Sequence, residues 1–295
     1  MIYFIVNPAA GAGRAKTAVP IIEQAMRGHE HTFIYTEAPA DSARVGGLID
    51  WSIAESIVCV GGDGTAQEYI GLAVGRDINF GIVPVGSGND MLLSVPAAAP
   101  KFLSLGDKTR FYAEKIIRRE IMPADAVSVN GGQYFFNIGG TGIDIEVLKG
   151  ALPLKKFIGG AAYFISLIKN AATYSAGQIT LTVDGKPETD RFLLLAVCNG
   201  AYYGGGLKVA PPAVINDGYI TLCKARNMTR LKLMAMFPRV KSGGHTKLAE
   251  VSLVNCSSVK LEFEGARTIN LDGNLHEYTS PVTFKIMPGA VRLIV

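Results

Sequence analysis

The sequence predicts two domains: an α/β domain built on a parallel sheet, followed by a mainly antiparallel β domain. Three observations lead there. Strand and helix patterns alternate over roughly the first 120 residues. Near Pro123 the pattern changes to short strands joined by tight turns. The chain has 295 residues, 48% of them hydrophobic and 18% charged, which is enough to bury two cores and too apolar for global disorder.

In the first part, IYFIVN (2–7) reads as a strand and residues 15–27 as a helix. That helix is expected to begin near Pro20, because proline is tolerated only in a first turn. HTFIYTE (31–37) is a second strand, 41–50 a helix opened by Asp41, and SIVCV (56–60) a third strand. Ala66, Ile70, Ala73 and Val74 fall on one helical face with Gln67 and Glu68 opposite, and NFGIVPV (79–85) is the next strand. Apolar strands alternating with helices argue for a sheet covered on both sides. In the second part, Asn130-Gly131 and Asp184-Gly185 mark hairpin turns. Strands are expected at 218–224, 251–255, 258–264, 267–272 and 282–287, and helices at 160–174 and 230–240.

Composition narrows the function classes. Cys59, Cys198, Cys223 and Cys256 form no CxxC pair and read as buried apolar residues in a reducing compartment. His29, His31, His245 and His276 show no metal spacing and read as surface residues. The opening MIYFIVNP lacks the features of a signal peptide, and no apolar run reaches the roughly 18 residues of a membrane span, so a cytoplasmic protein is expected. A net charge of +4 permits anionic partners such as nucleotide or acidic lipid; no nucleic-acid partner is expected.

Three glycine-rich turns end strands of the first part: NPAAGAGR (7–14), GGDGT (61–65) and GSGND (86–90). In an open α/β sheet such turns meet at the carboxyl edge, where main-chain amides and helix N-termini can face phosphates. Neither familiar phosphate motif is present. Ala15 stands where a Walker A loop needs glycine before Lys16-Thr17, and Lys16 stands where a dinucleotide fingerprint needs its third glycine. An ordinary small-residue turn also explains NPAAGAGR. Thr65 and Glu68 fit a capping box, which would aim the same helix N-terminus at a ligand. Asp63 and Asp90, each a plausible turn former alone, sit together among glycines at neighbouring strand ends. Two carboxylates beside phosphates repel unless a divalent cation lies between them, the arrangement phosphoryl transfer uses.

These stretches together resemble the bacterial diacylglycerol-kinase-like lipid kinases, a group related to the sphingosine and ceramide kinases. The similarity continues through Asp125 after MP, GxGxD at Gly140–Asp144, LKKFIGGAAY (154–163), APPAVINDGYI (210–220) and LDGN (271–274), in order along nearly the whole chain. The resemblance implies a Rossmann-like, NAD-kinase/diacylglycerol-kinase-like first domain over 1–123. It implies a β-sandwich-like lipid-substrate domain over 124–288, with a final strand (289–295) returning to the first. ATP would lie on Asn7, Pro8, Gly11, Ala12, Gly13, Arg14, Thr36, Gly61, Gly62, Asp63, Gly64, Thr65, Gly86, Ser87, Gly88 and Asn89. Asp63, Asp90 and Asp125 would organise catalytic Mg2+, and Lys16 and Lys155 would pair with phosphate charge. Val214, Asp217 and Tyr219 would form a structural Mg2+ site, although Asn216-Asp217-Gly218 also reads as a plain turn. In such kinases LDG is followed by Glu, often assigned as proton acceptor; here the position is Asn274, leaving Asp63 or Asp272 for that role.

The implied activity is ATP- and Mg2+-dependent phosphorylation of a lipid hydroxyl, as in diacylglycerol, at the inner face of a membrane. The alternatives are an NAD-kinase-like enzyme, and a lipid or nucleotide sensor weakened by Asn274. RLKLMAMFPRVKSGGHTK (230–247) suits either an apolar flap with a basic rim on an anionic bilayer or a helix covering a sheet. Residues 160–174 read as core or as lipid site, and exposed β edges would allow a homodimer.

Overall fold

A computed structural model describes residues 1–86, 88–96, 98–100, 103–158 and 174–295. The first part runs β1 (Ile2–Val6), α1 (Arg14–Ala25), β2 (His31–Tyr35), α2 (Ser42–Gly47), β3 (Ser56–Gly61), α3 (Asp63–Ile70), β4 (Asn79–Pro84) and α4 (Leu105–Arg118). Its strands lie in the order β4-β3-β1-β2, all parallel. Every residue of β1, β3 and β4 is buried, as expected for strands covered on both faces, whereas edge strand β2 buries only Ile34.

The second part runs β5 (Ile121–Val129), β6 (Gln133–Phe135), β7 (Ile138–Gly142), α5 (Ile143–Ile158), β8 (Gln178–Val183) and β9 (Lys186–Cys198). A ribbon of β10 (Tyr202–Tyr203) and β11 (Leu207–Lys208) follows, then β12 (Ile220–Arg226), α6 (Arg230–Val240), β13 (Val251–Cys256), β14 (Ser258–Glu262), β15 (Ala266–Leu271), β16 (Asn274–Thr279) and β17 (Val282–Ile294). All pairing among these strands is antiparallel. The long strand β9 pairs with β8 through its first half and with β7 and β12 through its second, so it serves both layers of a sandwich. Between the layers Val127, Phe135, Leu181, Phe192, Leu222, Leu261 and Phe284 belong to one apolar core.

Strand β17 joins the two parts. It pairs antiparallel with β14 and β5, bulges between Met287 and Val291, then runs parallel to β4 through Arg292–Asn79 and Leu293–Phe80. The hairpin turns form where expected, with Asn130, Gly131, Asp184 and Gly185 all at positive φ.

Four local expectations are corrected. Pro20 lies well inside α1, on its exposed side, where water can serve the Lys16 carbonyl that proline leaves without a donor. The capping box does not form: Gly62 is the N-cap of α3, Thr65 lies inside the helix, and Glu68 accepts the Asp41 amide at 2.6 Å. Gln67 is buried rather than solvated, because it donates to the Tyr134 carbonyl of the second part at 3.0 Å. His245 is buried with one ring nitrogen 3.0 Å from the Val209 carbonyl, and burial lowers its pKa. The four cysteines are free and buried. Apart from Tyr174, the helix expected over 160–174 lies outside the described residues. No helix among the described residues is long and apolar enough to cross a membrane.

Candidate active site

The three glycine turns meet at the carboxyl edge of the parallel sheet, and side chains strap them together. Asn7 follows β1; its Nδ2 donates to Thr65 Oγ1 at 3.2 Å, and its Oδ1 accepts the Ala9 amide across Pro8. Gly11, Ala12 and Gly13 all have positive φ, and a Cβ on Gly11 would stand 2.0 Å from the Val85 carbonyl oxygen. Arg14 opens α1 and donates to Gly11 O at 2.9 Å and to Gly86 O at 3.3 Å, so it fastens the first turn to the third. Gly62 and Gly86 touch: a Cβ on Gly86 would lie 2.7 Å from the Gly62 Cα. Asn89, at positive φ, returns its Nδ2 to Gly86 O at 3.0 Å. Much of the room left by glycine is thus taken up by neighbouring protein chain.

Asp63 is the centre of this cluster. Its Oδ2 accepts the Asp90 amide and its Oδ1 the Met91 amide, both at 3.0 Å, holding the 3-10 turn Asp90–Ser94. Burial pushes its carboxyl upward while those amides pull it back. Asp90 is itself buried, and its Oδ2 accepts the Gly205 amide at 2.7 Å. A Cβ on Gly88 would stand 3.3 Å from Asp63 Oδ2 and 3.4 Å from Asp90 Oδ2, so both carboxylates border one bare stretch of main chain. Two partly desolvated acids sharing a glycine suit a bound cation, which would offset their repulsion.

The second part contributes the β15–β16 turn. Asp272, at φ 47, accepts the amides of Phe136, Asn137 and Ile138 at 2.7–3.2 Å. Burial, with a smaller push from the Asp63 charge, raises its pKa to about 7 despite those donors. Asn274 Nδ2 donates to Gly64 O at 2.9 Å and to Gln67 Oε1 at 2.6 Å, which docks the turn on the start of α3. The amide side chain at 274 is therefore a fastener, using a donor that Glu lacks.

The other expected residues make contacts of their own. Asp125 was expected with Asp63 and Asp90 on the catalytic cation. Its oxygens accept the Gly218 and Gly289 amides, each at 2.7 Å, binding the Asn216–Gly218 turn to the bulge of β17. At that turn Asp217 Oδ1 accepts the Tyr219 amide at 3.0 Å, while the Val214 and Tyr219 side chains are exposed. That hydrogen bond is one a plain turn makes, and it leaves the second Asp217 carboxylate oxygen beside the main-chain carbonyls. Thr36 continues the sheet with its amide 2.9 Å from Val6 O. Lys16 stands exposed in the first turn of α1 and enters no ion pair among the described residues. Ser87 and the Lys155 side chain lie outside the described residues.

Two contributors escaped the sequence reading. Gly204, Gly205 and Gly206, all at positive φ, let the β10–β11 ribbon reach Asp90; three consecutive glycines were the available signal. Asn199, fully buried, donates to the carbonyls of Asp125 and Phe136 and links the Asp125 and Asp272 clamps; nothing local marks it.

Comparison with known proteins decides the family. Residues 1–129 match the diacylglycerol kinase catalytic domain, and residues 138–295 match the YegS C-terminal NAD kinase beta sandwich-like domain. The chain belongs to the diacylglycerol kinase-like family of lipid kinases. This family's reaction class is phosphotransfer to an alcohol acceptor. The kinase is 26% identical to a diacylglycerol kinase of Mycobacterium tuberculosis over 98% of this chain and 93% of the relative. It is 31% identical to a probable lipid kinase YegS-like of Chromohalobacter salexigens over 80% and 75%, respectively. The crystal structure of a diacylglycerol kinase from Bacillus anthracis superposes with a TM-score of 0.69 at 21% identity, covering 99% of this chain and 96% of that one, which shows the shared fold. These matches favour the lipid kinase over the NAD-kinase-like alternative.

Proposed function

We propose that this kinase transfers the γ-phosphoryl group of ATP to the hydroxyl of a membrane lipid of the diacylglycerol type. The observation that carries the reading is the convergence of three strand-end turns on Asp63, in a chain of this family. Residues 1–123 would form the nucleotide domain and 124–288 the lipid domain; the pairing of Arg292 with Asn79 supports a return of 289–295 to the first. The phosphates would rest on amides of residues 11–14, 61–65 and 86–89, beside the N-termini of α1 and α3. Lys16 and Lys155 would meet their charge, and Thr36 would border the nucleotide.

Asp63 and Asp90 would hold the magnesium, which when bound supplies positive charge to the phosphates and offsets the two carboxylates. A second magnesium would use the free oxygen of Asp217 and the carbonyls of Val214 and Tyr219. Asp125 is assigned to positioning that turn. The lipid hydroxyl would give its proton to Asp63, with Asp272 as the neighbouring acid that sets the local field. Asn274 holds the two parts in register.

The test is transfer of label from γ-labelled ATP to lipid in mixed micelles with magnesium, offering diacylglycerol, phosphatidylglycerol and long-chain bases in turn. Labelled lipid from the wild type, absent with Asp63→Asn, is expected. Nucleotide binding with no labelled lipid from any acceptor would favour the sensor instead.

A further inference from the structure

Helix α6 carries two apolar stripes on opposite sides. Leu233, Met236 and Val240 are buried in a core shared with Leu207, Val209 and Ala210. Leu231, Met234, Ala235 and Pro238 follow the i, i+3, i+4, i+7 spacing of a second face, and all four are exposed. Leu231 is 81% exposed and Met234 50%, an unusual outlay of apolar surface on a helix whose packing needs are already met. On a helical wheel Arg230 and Lys241 flank one side of this face and Lys232 and Arg239 the other.

The charge around this face has one sign. Residues 226–249 hold six Lys and Arg and no Asp or Glu, against a net charge of +4 for the entire chain, so the remainder is net acidic. Lys232 pairs with Glu250, and Arg226 with Glu188 and Asp190. Arg230, Arg239, Lys241 and Lys247 enter no ion pair among the described residues. An apolar ridge flanked by cations, of which Arg230, Arg239 and Lys241 are unpaired among the described residues, matches a surface whose charge is negative outside and whose interior is hydrocarbon.

We infer that the outward face of α6 is a docking surface for an anionic lipid bilayer, with Leu231 and Met234 entering the acyl boundary and the flanking cations meeting headgroup phosphates. The inner stripe of α6 belongs to the same apolar cluster as Leu207 of β11, Val209 and Ala210, and the β10–β11 ribbon delivers the Gly205 amide to Asp90. Docking here would therefore seat the membrane on the apolar cluster that also holds Leu207 of that ribbon. The inference deepens the lipid-kinase reading and rests on it for its purpose.

The test is sedimentation of the full chain with vesicles of phosphatidylcholine alone, or of phosphatidylcholine mixed equally with phosphatidylglycerol, without ATP. Wild type should sediment with the anionic vesicles, less so as salt rises, and hardly with the neutral ones. Leu231→Glu with Met234→Glu should lower partitioning about tenfold or more. Arg230→Gln and Lys241→Gln should each lower it about fivefold. These positions are exposed, so the thermal midpoint should hold; if the double Glu variant fails to fold, Leu231→Ala with Met234→Ala should still lower partitioning severalfold. Wild type that ignores anionic vesicles, or a folded double variant that sediments like wild type, would overturn the inference. So would a dimer by light scattering that this variant dissociates, since the face would then belong to a second copy. A wild type that transfers label in detergent micelles but ignores anionic vesicles fells only the docking surface; a wild type that binds those vesicles but labels no lipid fells only the kinase reading.

Discussion

Asp63 at the rim of the parallel sheet and Asp125 in the second part are held alike: each gives both carboxylate oxygens to main-chain amides. Their surroundings differ. Around Asp63 three glycine turns press so closely that a Cβ on Gly62 or Gly86 would crowd the other turn, and a second acid borders the same glycine. Around Asp125 the partners are one turn and one bulge, with no second carboxylate among its hydrogen-bond partners. An aspartate on amides is thus a general fastener. What makes one a candidate for chemistry is the convergence of bare backbone and of like charge at the same place.

The largest expected effect separates these two directly. Asp63→Asn should lower kcat by roughly 10²–10⁴-fold, as loss of a proton acceptor does. Asparagine keeps only one acceptor for the Asp90 and Met91 amides, so some stability goes too; Asp63→Ala, which keeps neither, would loosen the turn further. Asp125→Asn should instead cost about 1–3 kcal/mol in urea unfolding with kcat nearly intact. Equal kcat losses in the two variants would erase the distinction.

Gly205→Ala comes next. Its φ of 87 strains any L side chain by about 1–2 kcal/mol, and the ribbon must shift away from Asp90. Its kcat should fall about tenfold with KM for ATP little changed, and Gly185→Ala, in a hairpin distant in sequence from the site, serves as the strain control. Matching losses in the two variants would show that strain alone is at work.

Asn274→Glu bears on the missing family glutamate. Glutamate cannot donate to Gly64 O or Gln67 Oε1, so stability should drop by about 1–3 kcal/mol and the rate should stay level or fall. A faster enzyme would mean that the kinase lacks a base that this position can restore.

The smallest effect is on pH dependence. The Asp272 carboxyl is raised from 3.8 to about 7 by burial, so between those values the folded state holds a proton that the unfolded chain has released. Its contribution is therefore full below about pH 4 and is lost as pH rises through about 7. The melting temperature of Asp272→Asn relative to wild type should climb over that interval; a flat difference would show that Asp272 is ionised throughout.

Much of this was legible in the sequence because it is local. Uninterrupted apolar runs marked β1, β3 and β4, and positive-φ pairs marked the hairpins. Spacing brought Asp63 and Asp90 into view as members of glycine turns. The illegible part is long-range. Gln67 looks like a surface residue until Tyr134 and Asn274 arrive from the other part, and nothing near Asp125 in the sequence announces the Gly218 and Gly289 amides that it accepts. Strand β16 was missed because NLHEYT alternates no clear apolar face, and its partner β15 supplies the pairing. Pro20 was misplaced because a breaker on a solvated helix face costs less than one in a core.

The most direct test is a crystal structure of the kinase with magnesium and a non-hydrolysable ATP analogue. The triphosphate is predicted against the amides of residues 11–14, 61–65 and 86–89, with the cation between it and the Asp63 and Asp90 carboxylates. A nucleotide seated elsewhere, with the glycine rim bare at saturating ligand, would contradict the assignment.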